Sequence, residues 1–295
     1  MLALILEDLR SGAYASMRVP VTHLIDFFEA ARSSLSYIWW AVAVAPHLSR
    51  YDLLELTDLG NADWQKLFYP LMINTERLPF PGLVEPLVAH LVKRLSDSTT
   101  IQHVIQLGSG PMEIERQVAE RLFKNGVTRP VHFVGVDYSE HAHEAAARNL
   151  SELGVLVKIA RNLGEVEAEL ATPPDRTKVM LYNGDALALL NSLQLGPQQV
   201  VFHSLFRHHL TAEQKKNLDA LVESKHIPLI EYDGYISWIN MLVISIGTWE
   251  SPIIMNGGVF SNRRYDSKTE IRARYPSARF RTPPGIYLGF KNIDA

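Results

Sequence analysis

The apolar run Val104-Ile-Gln-Leu-Gly-Ser-Gly-Pro-Met-Glu-Ile114 breaks at Gly108-Ser109-Gly110 and passes directly into Glu113-Ile-Glu-Arg-Gln-Val-Ala-Glu-Arg-Leu122. The first half has the length of a buried strand and the second has apolar residues at helical spacing, so the stretch reads as strand, glycine turn and amphipathic helix. Glycines let the backbone approach a ligand closely, and the free amides at the start of the helix favour a polar or anionic group. The rest of the chain can be placed relative to this turn.

Beyond the polar linker Ser96-Asp-Ser-Thr-Thr100 the sequence alternates between strand and helix patterns. Expected strands are His103–Leu107, Val131–Val136, Val179–Tyr182, Val200–His203 and Pro228–Tyr232; expected helices include Glu140–Leu153 and Thr211–Ser224. Such alternation implies βαβ units in a mostly parallel, doubly wound sheet with helices on both faces. Ligands of such sheets sit at the carboxyl ends of the strands, near the point where strand order reverses. The final stretch, Ala278 to Lys291, is two short alternating segments about Pro283-Pro284-Gly285, which predicts a terminal antiparallel hairpin.

Residues 1 to 98 carry no strand pattern and read as successive helices punctuated by Pro20, Pro46, Pro70 and Pro79-Phe80-Pro81-Gly82. Val21 to Arg32 and Leu83 to Leu95 have helical spacing, and Trp39, Trp40, Trp64, Phe68 and Tyr69 need burial. The expected organisation is a helical accessory region or lid over 1–98 and a ligand-binding domain over 99–295. The aromatic residues of the helical region could form a homodimer surface, although burial within the chain accounts for them equally well.

A content of 47% hydrophobic and 21% charged residues fits a globular domain, and a net charge of −3 argues against a polyanionic partner such as nucleic acid. The absence of cysteine excludes a disulfide framework, a thiolate nucleophile and thiolate metal ligands. The start lacks the pattern of a signal peptide, and no apolar run is long enough to cross a bilayer, so a cytoplasmic location with no membrane partner is expected.

Strand ends carry the candidate binding residues. The second expected strand leads into Asp137-Tyr138-Ser139, where a carboxylate 27 positions beyond Gly110 can accept hydrogen bonds from both hydroxyls of a ribose. Asp137 or Ser139 could equally cap the next helix. The third leads into Gly184-Asp185-Ala186, where a carboxylate can accept from an exocyclic adenine amine or simply form a turn.

In this order the features resemble the class I S-adenosylmethionine-dependent methyltransferases. Gln106-Leu-Gly108-Ser109-Gly110-Pro111 resembles the family's first motif, Asp137 its ribose-binding acid and Asp185-Ala186 its adenine-binding pair. The resemblance covers roughly residues 100 to 291, including the final hairpin. It implies a Rossmann-like methyltransferase sheet, S-adenosylmethionine as cofactor and a cofactor site that includes Tyr138, Ser139, Gly184, His203 and Ser204. Two positions depart from the pattern: Gln106 stands where an acid is common, and Met112 where a third glycine is common. The gap from Asp137 to Asp185 is also long, which implies an added helix or ribbon over Val155 to Ala171.

Methyl transfer asks the protein to position the reactants, exclude water and take a proton from the acceptor. His203 and His208 follow the fourth expected strand, at a place resembling the family's fourth motif, and either could accept that proton. His209 beside them is a weaker candidate. Glu231 and Asp233 end the fifth strand and could bind an amino or amide hydrogen of the acceptor, while Tyr235, Trp238 and Trp249 could form an apolar wall. His203, His208, Glu231 and Asp233 could in principle converge on a divalent metal, but no recognised ligand spacing is present and no metal is expected.

The expected function is methyl transfer to oxygen or nitrogen of a small metabolite or a modified peptide, in specialised metabolism such as natural-product biosynthesis. One alternative is a nicotinamide-dependent oxidoreductase, weakened because Glu113 replaces the last glycine of the dinucleotide fingerprint. Another is a non-catalytic binding subunit of the same fold.

Overall fold

The computed structural model describes residues 82–237, 261, 264–281 and 285–293. The expected helical region up to residue 81, including Trp39, Trp40 and Trp64, lies outside the described residues, as do Trp238 and Trp249.

Its elements are α1 (Glu85–Asp97), β1 (His103–Leu107), α2 (Glu113–Lys124), β2 (His132–Asp137), α3 (Glu140–Ser151), β3 (Leu156–Ala160), α4 (Leu163–Leu170) and β4 (Lys178–Asn183). Then follow α5 (Ala186–Ser192), β5 (Gln199–Ser204), a 3₁₀ turn (Arg207–His209), α6 (Ala212–Ser224), β6 (Leu229–Gly234), α7 (Lys268–Arg274), β7 (Arg279–Arg281) and β8 (Ile286–Lys291).

The eight strands form one sheet in the order β3-β4-β2-β1-β5-β6-β8-β7. The first six are parallel to one another, whereas β8 runs antiparallel to both β6 and β7. This is the expected doubly wound, Rossmann-like sheet with its antiparallel hairpin at the carboxyl end. The chain leaves β1 toward β2 on one side and later returns to β5 on the other, so the reversal of strand order falls at β1.

Side-chain alternation assigns two cores to the two faces. Val104, Phe133, Val179, Phe202, Ile230 and Leu288 pack with α1, α2 and α3, while Ile105, Leu107, Val134, Val136, Val201 and Leu229 pack with α4, α5 and α6. On α1, which lies before the expected boundary at residue 98, Leu87, Val88, Leu91 and Leu95 enter the first of these cores. The nearly continuous burial of β1, β2, β5 and β6 is what a parallel sheet covered on both faces demands.

The long gap between Asp137 and Asp185 contains both a strand and a helix. β3 pairs in parallel with β4 at the sheet edge, and α4 covers it through Val166 and Leu170. Thr211 caps α6 with a full capping box, so that helix begins where the sequence predicts. Helix α7 has the same device, with Ser267 and Glu270 satisfying each other's backbone amides.

Candidate active site

The glycine turn follows β1 at the point where strand order reverses. Gly108 and Gly110 have φ of 61° and 51°, in the left-handed region that favours glycine. A Cβ at Gly108 would lie 2.2 Å from the ring of Phe206, so the close approach this glycine permits is made by that ring. The position where the family pattern has a third glycine also adopts the left-handed region, but as Met112 with φ of 52°. Space for its side chain comes from the neighbouring strand: a Cβ on Gly135 would fall 2.8 Å from Met112 Sδ and 2.9 Å from Ser109. The glycine needed for close packing therefore stands in β2. Ser109 is buried there, its Oγ without a hydrogen-bond partner, and Pro111 accepts from the Asn149 side chain at 3.2 Å.

Gln106 points away from the turn, into the packing between β1 and α2. The hydrogen-bond network assigns its amide nitrogen to face Glu115, 2.8 Å from Oε2. Glu115 is fully buried, and that burial, reinforced by Glu113, pushes its pKa up to about 8. Glu113 is instead held by Arg116, Gln117 and Asn149.

Asp137 ties the turn to the end of β2. Its Oδ2 accepts from the Gly110 amide and its Oδ1 from the Ser139 amide, both at 2.9 Å. Ser139 caps α3 by accepting from Ala142. Across the sheet edge Asp185 caps α5, its Oδ1 accepting from Leu187 at 2.7 Å and Ala188 at 3.0 Å. Its Oδ2 accepts from the half-exposed Tyr138 hydroxyl. Burial alone would raise the Asp185 carboxyl, but the Tyr138 and backbone donors hold it low. Gly184, just before it, packs so closely on the Tyr182 ring that a Cβ would meet it at 2.5 Å, and Ala186 begins α5 buried. Asp137 and Asp185 thus both accept backbone amides, as capping residues do. A carboxylate offers about four lone-pair sites, so each oxygen of Asp137 keeps acceptor capacity.

The remaining candidates occupy the other face. His203 and Glu231 are register partners on β5 and β6, both with 0% exposure, and lie on the side of Val201 and Leu229 beneath α6 and α7. His203 Nε2 is 2.9 Å from Glu231 Oε2. Glu231 also accepts from the hydroxyls of Tyr275, at 2.8 Å, and Tyr287, and from Arg274 at 3.3 Å. Burial would raise its pKa, but the charges of Arg207, His203 and Arg274 hold it well below the usual carboxylate value. An ionised Glu231 accepts, so His203 Nε2 is the donor to it, while His203 Nδ1 is buried with no hydrogen-bond partner.

A second pair lies beside it. Asp233 Oδ1 is 2.9 Å from His208 Nδ1, and Oδ2 accepts the His208 backbone amide at 3.3 Å. Burial raises the Asp233 carboxyl, while His208 more than offsets it, so the group is held low. The ring of His209 lies 4.1 Å from that of His208. Ser204, on the opposite face of β5, is half-buried at the strand end. Among the described residues, no group of three His, Asp or Glu side chains is arranged to hold a metal ion.

The sequence reading missed the cations that surround these pairs. Arg207 forks onto Asp219 at 2.8 and 2.7 Å and reaches Asp266 at 3.0 Å, while Lys215 and Arg274 meet Asp266 at 2.9 and 2.7 Å. For Arg274 the available signal was the late basic group from Arg263 to Arg281; Arg207 and Lys215 lie outside it. Tyr235, expected in an apolar wall, is buried against Phe280, Ile271, Tyr275 and Tyr287, with Lys268 over its ring.

No protein-family model matches the chain, and no curated protein matches it. Solved structures similar to it include the plantazolicin methyltransferase BpumL in complex with SAH, 10% identical over 85% of this chain and 77% of that one, with a TM-score of 0.44. An O-methyltransferase family protein from Burkholderia thailandensis is 12% identical over 88% and 69%, with a TM-score of 0.49. A SAM-dependent methyltransferase from Archaeoglobus fulgidus is 17% identical over 72% and 75%, with a TM-score of 0.40.

Proposed function

We propose that the chain is an S-adenosylmethionine-dependent methyltransferase acting on oxygen or nitrogen of a small molecule or peptide. The observation that carries this reading is the bond from the Gly110 amide to Asp137 Oδ2 at the point where strand order reverses. It sets a glycine turn and an acid with spare acceptor capacity at the carboxyl edge of β1 and β2, with Asp185 at the end of β4. In an open parallel sheet that edge is where a nucleoside-bearing ligand binds.

In this reading the Gly110 side of the turn faces the methionine end of the cofactor, with the Phe206 ring packed on Gly108 beside it, Asp137 takes the ribose hydroxyls, and Asp185 with Tyr138 borders the base. S-adenosylmethionine supplies an electrophilic methyl group on a sulfonium. The protein orients the two reactants, keeps water out and accepts the acceptor's proton. His203 Nδ1 and His208 Nε2 are the proposed proton acceptors. Glu231 and Asp233 are assigned to orienting those rings, through the contacts at His203 Nε2 and His208 Nδ1. The same proposal includes a discrete acceptor of natural-product biosynthesis, in keeping with the modest net charge. It also includes a cytoplasmic setting, with which the cysteine-free composition is compatible, and a homodimer through the aromatic residues of the N-terminal region. Among the described residues no helix is long and apolar enough to cross a membrane.

Calorimetry with S-adenosylmethionine and S-adenosylhomocysteine tests the reading. Micromolar binding is expected, weakened about tenfold or more by Asp137→Ala through loss of charge-assisted hydrogen bonds. No binding of either at millimolar concentration would sink it, and saturable NADH binding instead would point to hydride transfer. With an acceptor in hand, His208→Gln is expected to retain S-adenosylhomocysteine affinity and to lose about a hundredfold in turnover. Unchanged turnover would remove His208 as a base.

A further inference from the structure

On the α1 face of the sheet, a cavity of about 320 Å³ opens between that helix and the terminal hairpin. Its walls include His90 and Lys93 from α1, Arg279 and Arg281 from β7, and the apolar surfaces of Ile286 and Leu288 from β8. In sheet order β7 stands four places from β1. At about 4.8 Å per strand, the two arginines stand well away from the glycine turn, and the cavity's lining comes no nearer in sheet order than Tyr232 of β6.

Among the described residues, three cations line this cavity and no carboxylate does. Arg279 lies over the Phe290 ring, 5.6 Å from its centroid, and Arg281 donates to the Gly82 carbonyl at 3.5 Å. Among the described residues neither guanidinium meets an acid. Lys93 pairs with Asp97, but both side chains are mostly exposed, where such a pair contributes little and is screened by salt. The arginines are two positions apart on one edge strand and therefore share a face, where like charges repel.

A further observation points to a ligand. Nε2 of His90 is buried with no hydrogen-bond partner, while the ring packs on Phe290 at 4.6 Å between centroids. Burial, followed by the charges of Arg94, Arg279 and Lys93, lowers its pKa to about 4. Among the described residues no anion offsets that field. Charge on an edge strand guards against pairing with other chains, but that role accounts for neither the bare imidazole nitrogen nor the apolar walls.

We propose that this cavity binds a small oxyanion with an apolar or aromatic body, its carboxylate or phosphate gripped by Arg279 and Arg281 and its body against Ile286 and Leu288. Guanidinium forks match either oxyanion in geometry, and the cavity has the size of a small-molecule site. The neutral His90 ring can donate Nε2–H to the same group or to a hydroxyl beside it.

The test is calorimetry on the full chain at low salt with phenyl phosphate and benzoate, using inorganic phosphate and benzyl alcohol as the anion and the body alone. Saturable binding of phenyl phosphate or benzoate is expected, and the tighter of the two identifies the oxyanion. Arg279→Gln/Arg281→Gln should weaken it about tenfold or more with an unchanged thermal midpoint, since both side chains are exposed. Lys93→Gln, on a separate element, should weaken it to a smaller extent. Absence of saturable binding to either aromatic anion at about 10 mM overturns the proposal. Equal affinity of wild type and the double variant does so too, as does inorganic phosphate binding as tightly as phenyl phosphate.

Discussion

Glu115 is a carboxyl group with 1% exposure and one amide, that of Gln106, turned toward it. Its pKa in the fold, about 8, lies above the ordinary value of 4.5, with burial as the main cause. A carboxyl raised on folding binds more protons in the native state than in the unfolded one. Its contribution is therefore complete below pH 4.5 and is lost as pH rises toward 8. Near neutrality the pair is a neutral acid against a neutral amide, which costs far less than an isolated buried charge. Glu115→Gln should accordingly raise stability at pH 8 by more than at pH 5, by about 1 kcal/mol or more, read from urea unfolding midpoints at the two pH values. A variant whose gain does not depend on pH would show that Glu115 is ionised throughout. The same pairing explains why residue 106 tolerates an amide: its side chain completes the α2 contact and does not point into the turn.

At the scale of elements, the glycine turn and β2 form one packing unit, because Met112 and Ser109 fill the space that Gly135 leaves open. Gly135→Ala places a methyl group under 3 Å from both, an overpacking that should cost about 1–3 kcal/mol. Met112→Ala should recover part of that loss, so the double variant is expected to be less destabilised than the sum of the two single changes; strict additivity in chemical denaturation would refute the coupling. Element placement was largely legible in the sequence where apolar runs were long and bounded. β1 falls on His103–Leu107 as the pattern predicts, and the ends of β2, β4, β5 and β6 differ from expectation by one or two residues. β3 was not legible, because as an exposed edge strand with Lys158 in its middle it buries only Ala160 and has no hydrophobic period to read. Helix α7 was missed for a related reason. It is seven residues long and mostly charged, burying Ile271 alone, and only its Ser267/Glu270 capping box marked it. In the candidate site the acids at strand ends were legible from spacing, whereas their partners Arg207, Arg274 and Tyr287 come from elements far apart in sequence.

For the molecule as a whole, Glu231 and Asp266 join segments that share little else. His203 of β5, Arg207 of the 3₁₀ turn, Lys215 of α6, Arg274 of α7, Tyr275 just after that helix and Tyr287 of β8 all bond to one or both carboxylates. The hairpin and α7 are thus fixed to the parallel sheet by charge as well as by the small apolar cluster of Tyr235, Ile271, Tyr275 and Tyr287. A buried charged network of this kind contributes little net stability, because desolvation offsets the attraction. Removing one member leaves its partners buried and unpaired. Glu231→Ala should therefore cost about 3–5 kcal/mol, with little dependence on salt because the site excludes ions. Glu231→Gln keeps the shape but lacks the charge that Arg207 and Arg274 require, so it should be destabilised at neutral pH as well. It also separates charge from packing. The Glu231 carboxyl is depressed in the fold, so its stabilisation is present above the ordinary value of 4.5 and is lost as pH falls below it. Wild type should lose stability steeply between pH 5 and pH 3, within about two units of the ordinary carboxyl value, and Glu231→Gln should lose less over the same interval. Parallel acid profiles for the two proteins would mean that Glu231 does not carry the acid limb, and Asp266, the other depressed carboxyl of the network, would be the group to change next.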